Sequence, residues 1–168
     1  MAASLVVKEI KPARFKEKAF RDAIRKAAKQ AGKDIKKDFK KTTKTWKHKP
    51  RFETVVAMDP NVEVLVGTDD EIYGYVSGGT KPHLIFPKKP GGMLAFPSSY
   101  KAKTRPRVIG STAGGPSGPT VVRPYVEHPG IKPREFDKVI QKKWESPFKR
   151  RMERAMRDAA RASGHSIK

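Results

Sequence analysis

Three observations predict an α+β fold: a long N-terminal helix and a C-terminal helix packed on a small antiparallel sheet, with a long Pro/Gly-rich loop. First, apolar residues recur at gaps of three and four at both ends of the chain, the helical period. Second, the centre is broken into short β-branched and aromatic runs separated by Gly, Pro, Asn and Asp. Third, charge follows the same division. Residues 1–50 carry 17 Lys/Arg against 5 Asp/Glu and residues 134–168 carry 11 against 5, whereas 51–133 carry 10 against 7. Two amphipathic helices need an apolar surface, and a small antiparallel sheet supplies one. A length of 168 residues fits a single domain spanning 1–168.

The first helix is expected over 12–47. Pro12 suits a first helical turn, and the stripe runs through Phe15, Phe20, Ile24, Ala28, Ala31, Ile35 and Phe39. Gly32 bends the helix or weakens it by about 1 kcal/mol. Trp46 is the last apolar anchor before Pro50. Residues 1–10 read as a short strand or an arm.

Strands are expected over 52–96 and 121–127. Phe52–Met58 and Val62–Val66, joined by the Asp59-Pro60-Asn61 turn signal, read as a hairpin. Ile72–Val76 reads as a third short strand or a turn, and Ser77–Pro82 as a tight loop. Leu84–Phe86 and Met93–Phe96 are two further short strands joined by a Pro/Gly segment. Residues 97–120, rich in Pro, Gly, Ser and Thr, are expected as an extended loop, a length that is usually functional or disordered in a compact domain. The last helix is expected over 133–163, with apolar positions from Phe136 and Ile140 through Trp144, Phe148 and Met152 to Ala159. Pro147 kinks or divides it, and Gly164 ends it.

Composition narrows the function classes. A net charge of +21 points to a polyanion or an acidic protein surface as partner. The hydrophobic fraction of 36% is low, so part of the chain is expected to be ordered by a partner. There are no cysteines, which excludes disulfides and Cys-based zinc sites. No apolar stretch approaches the roughly 20 residues of a membrane span, and the N-terminus lacks a signal-peptide pattern, so a soluble, intracellular protein is expected.

No motif argues for an enzyme. His48, His83, His128 and His165 show no metal-ligand spacing, and no phosphate-binding glycine loop or nucleophile elbow is present. Gly78-Gly79 beside Lys81 could form an anion-binding nest, but tight-turn glycines are the commoner reason. His83 and His128 sit in Pro-containing turns, where packing or capping is the ordinary role. A small metal-independent ribonuclease or toxin using either of them is the least favoured reading. The expectation is no catalytic residue, no metal and no cofactor.

The order of segments is familiar. Val64–His83 reads VLVGTDDEIYGYVSGGTKPH, followed by LIFPKK, MLAFP and YVEHPGIKPREF ahead of a basic C-terminal helix. This order resembles the tail-completion, or head–tail joining, proteins of long-tailed bacteriophages, the gene-product-ten-like neck family. The matching positions are Val66-Gly67-Thr68, Tyr73 to Thr80, and Arg134-Glu135-Phe136, and the resemblance covers about residues 10–165. Many members carry a P-V-D-T-G-x-L segment where this chain has Thr42–Pro50.

The resemblance implies a structural virion protein, made in the bacterial host cytoplasm and placed at the neck or tail end. It would complete the tail and join it to the head as a ring, commonly a hexamer, around the DNA channel. Implied partners are further copies of itself, the tail-tube or tail-terminator protein, head connector proteins and the genomic DNA in the channel, with no membrane. One surface is expected at Tyr73, Tyr75, Gly78, Gly79, Thr80, Lys81, Pro82 and His83. A second is expected at His128, Pro129, Gly130, Arg134 and Phe136. DNA or acidic-partner contacts are expected at Lys36, Lys37, Lys40, Lys41, Arg150 and Arg151. A stand-alone basic nucleic-acid-binding protein is the alternative.

Overall fold

The first helix, α1 (Glu17–Thr42), presents Ile24, Ala28, Ala31 and Phe39 to the interior. The structure is a computed structural model that describes residues 16–165. The expectations for residues 1–10, Pro12 and Phe15 lie outside the described residues. α1 ends at Thr42, short of the expected 47, because threonine hydroxyls compete for its last carbonyls. Thr42 Oγ1 donates to Phe39 O at 2.7 Å and Thr43 Oγ1 to Lys40 O at 3.3 Å. Lys49 Nζ then caps the carbonyls of Thr43 and Lys44 at 3.0 and 2.6 Å.

Gly32 serves close approach. A Cβ there would stand 2.5 Å from Thr54 Cγ2 and 3.2 Å from Val64 Cγ1. The helix can therefore lie directly on the hairpin of β1 (Glu53–Ala57) and β2 (Glu63–Gly67). The register pairs Val55 with Leu65 on the outer face. Val56, Val64 and Val66 face inward.

The expected third strand is a helix, α2 (Glu71–Gly78). Asp70 is the reason: its carboxylate accepts the Tyr73 backbone N–H at 2.7 Å, an N-cap that outweighs the β-propensity of Ile72, Tyr73 and Val76. The last helix, α3 (Phe136–Ala162), runs through Pro147 undivided. Gly164, at φ +83°, lies just past its end as expected.

Two apolar clusters hold these elements. Ile24, Ala28 and Met152 join α1 to α3 with Phe20, Val56, Val64 and Phe148 around them. The second is aromatic: Phe39, Phe52, Tyr73, Phe136 and Ile140, ringed by Ile35, Trp46, Val66 and Trp144. Its rings meet at centroid distances of 5.1 to 6.4 Å, and each buried ring contributes about 1.5–3 kcal/mol. Helices α1 and α3, the β1–β2 hairpin and α2 form the body of the molecule.

The remaining strands are β3 (His83–Ile85), β4 (Leu94–Lys101), β5 (Gly115–Arg123) and β6 (Val126–His128). The α+β class holds, but the sheet is divided into three antiparallel ribbons: β1–β2, β3–β6 and β4–β5. β3 pairs with β6, not with β4. The expected loop 97–120 is strand at both ends, because Pro97–Lys101 pairs with Gly115–Thr120 across a bulge between Pro97 and Ser99. Gly115 and Gly118 supply the positive φ that this irregular pairing needs.

Only 102–114 remains loop, and it is fastened to the body. Ser111 Oγ donates to Lys41 O at 3.2 Å and accepts from Thr45 N at 3.1 Å. Lys103 Nζ reaches Thr45 O at 3.2 Å, and Ile109 packs against the aromatic cluster. The chain thus leaves the body along β3, returns along β4, docks, leaves again along β5 and returns along β6. These four strands form an arm.

Candidate functional site: a β arm and two basic helices

The two surfaces expected separately from the sequence are brought together. Thr80 and Ile131 exchange backbone hydrogen bonds at 3.0 and 3.1 Å, and Thr80 Oγ1 also accepts from Ile131 N at 3.0 Å. His83 lies opposite His128 in the register, with ring centroids 5.0 Å apart. The glycines make this possible. Gly79 has φ +79° and Gly130 +81°, and a Cβ at either would run into backbone of the facing strand: Ile131 O at 2.6 Å for Gly79, Thr80 O for Gly130.

Both histidines are tied by Nδ1. His83 Nδ1 lies 2.9 Å from Lys81 O, so it donates, and His128 Nδ1 accepts from Gly130 N at 3.1 Å. Nδ1 therefore plays opposite parts in the two rings, donor in His83 and acceptor in His128. Lys81, Pro82 and Pro129 complete the arm's base; Lys81 and Pro82 are exposed. Gly78 is exposed, with open space around it.

Two expected surface residues are core. Tyr73 is 5% exposed and Phe136 fully buried, in the aromatic cluster. They cannot touch a partner in this conformation, because the spacing that suggested a contact surface is the inner face of α2 and the start of α3. Burial pushes the Tyr73 hydroxyl well above its ordinary pKa, and its nearest hydroxyl partner is Thr42 at 3.4 Å. Tyr75, two residues on in α2 and turned outward, is 54% exposed. Arg134 does structural work: its Nε donates to buried Thr104 at 3.3 Å, and its carbonyl accepts Arg107 N at 3.1 Å. Here the docked loop meets α3, at two non-glycine residues with positive φ, Arg107 and Glu135.

The apolar side chains of the arm are uncovered. Phe86 is 62% exposed, Tyr100 65% and Tyr125 49%, with Leu84, Met93 and Val122 in the same condition. Phe86 and Tyr125 rings stand 6.2 Å apart at the β3–β6 end. Neither Phe86 nor Tyr125 stood out in the sequence; each is a lone aromatic beside a proline.

The basic positions divide into two groups. Lys37 pairs with Asp34 at 3.2 Å and Lys41 with Asp38 at 2.8 Å. Arg151 pairs with Asp34 at 3.0 Å and its guanidinium carbon lies 5.6 Å from the Trp144 ring centre. Lys36, Lys40 and Arg150 have no carboxylate partner among the described residues.

Asp38 is the hub that the sequence did not reveal. It is 2% exposed and takes Lys41, Lys143 at 2.5 Å and the Trp144 indole N–H at 2.9 Å. Burial alone raises its pKa, but these three donors outweigh that and hold it at about 2. Its place between Ile35 and Phe39 on the apolar stripe was the available signal. His48 also meets Asp70, and this contact holds the Asp70 carboxyl below its ordinary pKa.

No protein-family model matches the chain, and neither curated proteins nor solved structures give a significant match. Among the described residues no helix is long and apolar enough to cross a membrane.

Proposed function

We propose that this protein is a structural assembly subunit that completes the tail end of a long-tailed bacteriophage and joins it to the head, as a closed ring around the DNA channel. The observation that carries the reading is the arm: strands paired through their backbones whose Phe86, Tyr100, Val122 and Tyr125 side chains stay about half or more exposed among the described residues. Contiguous exposed apolar surface of this kind marks an interaction site. The segment order from Val66-Gly67-Thr68 to Arg134-Glu135-Phe136 adds the resemblance to the neck family. A ring requires a heterologous, head-to-tail interface that closes on itself, and an arm that meets a different face of the next copy provides one.

The test is electron microscopy of lysates from a phage or prophage lacking this gene. Filled heads beside separate tails of normal length are expected. Normal virions would remove the assembly reading. Tails of uncontrolled length would replace joining with tail termination. Lys81→Ala with His83→Ala, both exposed at the arm's base, is expected to reduce assembled particles while leaving the fold intact.

A further inference from the structure

The two sides of α1 carry opposite chemistry. Asp34 and Asp38 turn toward α3, where Arg151, Lys143 and the Trp144 indole consume them. On the rest of α1, Arg25, Lys29, Lys33, Lys36 and Lys40 follow at gaps of four, four, three and four, and Lys44 lies in the turn just past the helix end. Such gaps keep side chains on one strip of a helix. Its five helical members span about 22 Å at 1.5 Å per residue, with a cation roughly every 6 Å. Lys36 is half-buried and the other five are exposed. Among the described residues none of the six is ion-paired. At one end Arg25, Lys29 and Lys33 share a surface hollow with Asp22 and with Arg151 and Asp158 of α3, and at the other Lys49 and Arg51 share one with Lys36, Lys40 and Lys44.

We propose that this strip binds the phosphate backbone of duplex nucleic acid without regard to base sequence. Two features select this partner over an acidic protein. A protein interface has an apolar, lysine-depleted core with aromatic anchors, whereas every exposed residue of α1 from Arg21 to Lys41 is polar or charged. A duplex, by contrast, offers one negative charge per about 1.7 Å of axis, a linear array that point-charge lysines can track. Gln30, the amide beside the strip, donates to Asp34 at 3.3 Å, and the strip itself offers point charges that contact backbone and not sequence. The proposal stands on the helix alone and neither requires nor implies a ring.

The test is fluorescence anisotropy of the full chain with a labelled 30-base-pair duplex at several salt concentrations. With about five phosphates neutralised, the slope of log K against log salt is expected near −4.5, roughly a 10²–10³-fold loss from 50 to 200 mM. Two duplexes of unrelated sequence should bind alike. The triple variant Lys33→Gln, Lys36→Gln, Lys40→Gln should flatten the slope by about 3. Its control, Lys88→Gln, Lys89→Gln, Lys142→Gln, changes net charge equally at exposed sites away from the strip and should leave the slope near the parent value. Equal losses in both triples would overturn the proposal, because the field of the whole chain would then be responsible. So would no binding at 50 mM salt, or polyglutamate binding more tightly than duplex at equal salt, which would assign the strip to an acidic protein.

Discussion

The body and the arm are built from the same kinds of residue, yet they are stabilised differently. In the body, backbone pairing and side-chain burial coincide: β1 and β2 are hydrogen-bonded to each other and covered by α1. In the arm the two are separated. β4 and β5 pair over most of their length, but nearly all their side chains remain in solvent. A two-stranded ribbon is marginal alone. The β4–β5 ribbon is held by the docked loop at its end, through Ser111 and Thr104, and the β3–β6 ribbon by the Thr80–Ile131 bridge. Backbone geometry there is supplied by local pairing, while the apolar term is left for another surface to complete.

The sharpest way to break this contrast is a core deletion. Phe136→Ala should cost about 3–5 kcal/mol, read as a lowered urea midpoint. A loss below 1 kcal/mol would mean that the aromatic cluster is not the centre of stability. Asp38→Asn should cost about 2–3 kcal/mol, because Lys143 and the Trp144 N–H lose a buried charged acceptor. The Asp38 carboxyl sits at about 2 in the fold against an ordinary 3.8. Its contribution is therefore present above pH 4 and lost as pH falls toward 2, worth about 2 kcal/mol. Chemical denaturation across pH 2–5 should show that slope in the parent and a flatter one in Asp38→Asn.

Gly32→Ala should destabilise by about 1–2 kcal/mol, since overpacking against Thr54 outweighs the helix-propensity gain of about 1 kcal/mol. A raised melting temperature would show that the hairpin yields. Smallest of all, Phe86→Ser with Tyr125→Ser should shift stability by less than about 0.5 kcal/mol. If that variant unfolds as readily as Phe136→Ala, the arm is not separate from the body.

Much of the body was legible in the sequence because helical spacing in Ile24–Phe39 and Phe136–Ala159 reports a buried face directly. The β1–β2 hairpin was legible from its turn. Two features were not. The Ile72–Val76 run carries β-propensity, and only the Asp70 cap reverses it. The 97–120 segment hides long pairing because Ser, Gly and Pro give no alternating apolar pattern when neither face of a ribbon is buried. Of the candidate surface, the loops at 78–83 and 128–130 were visible as turn residues. That they face each other depends on pairing across 44 intervening residues, which spacing does not encode. Tyr73 and Phe136 misled for the opposite reason: an aromatic beside a glycine or between two acidic residues looks the same whether it points in or out.

The double out-and-back path of the arm has a mechanical consequence. A pull on its outer end, near Phe86 and Tyr125, is divided among four strands and delivered to the body at three places: the Thr80–Ile131 bridge, the Ser111–Lys41 contact and the Arg134–Thr104 contact. Load so shared strains several short hydrogen-bonded segments in parallel. The arm is built to transmit tension into α1 and α3, where a single β-hairpin on a hinge would swing.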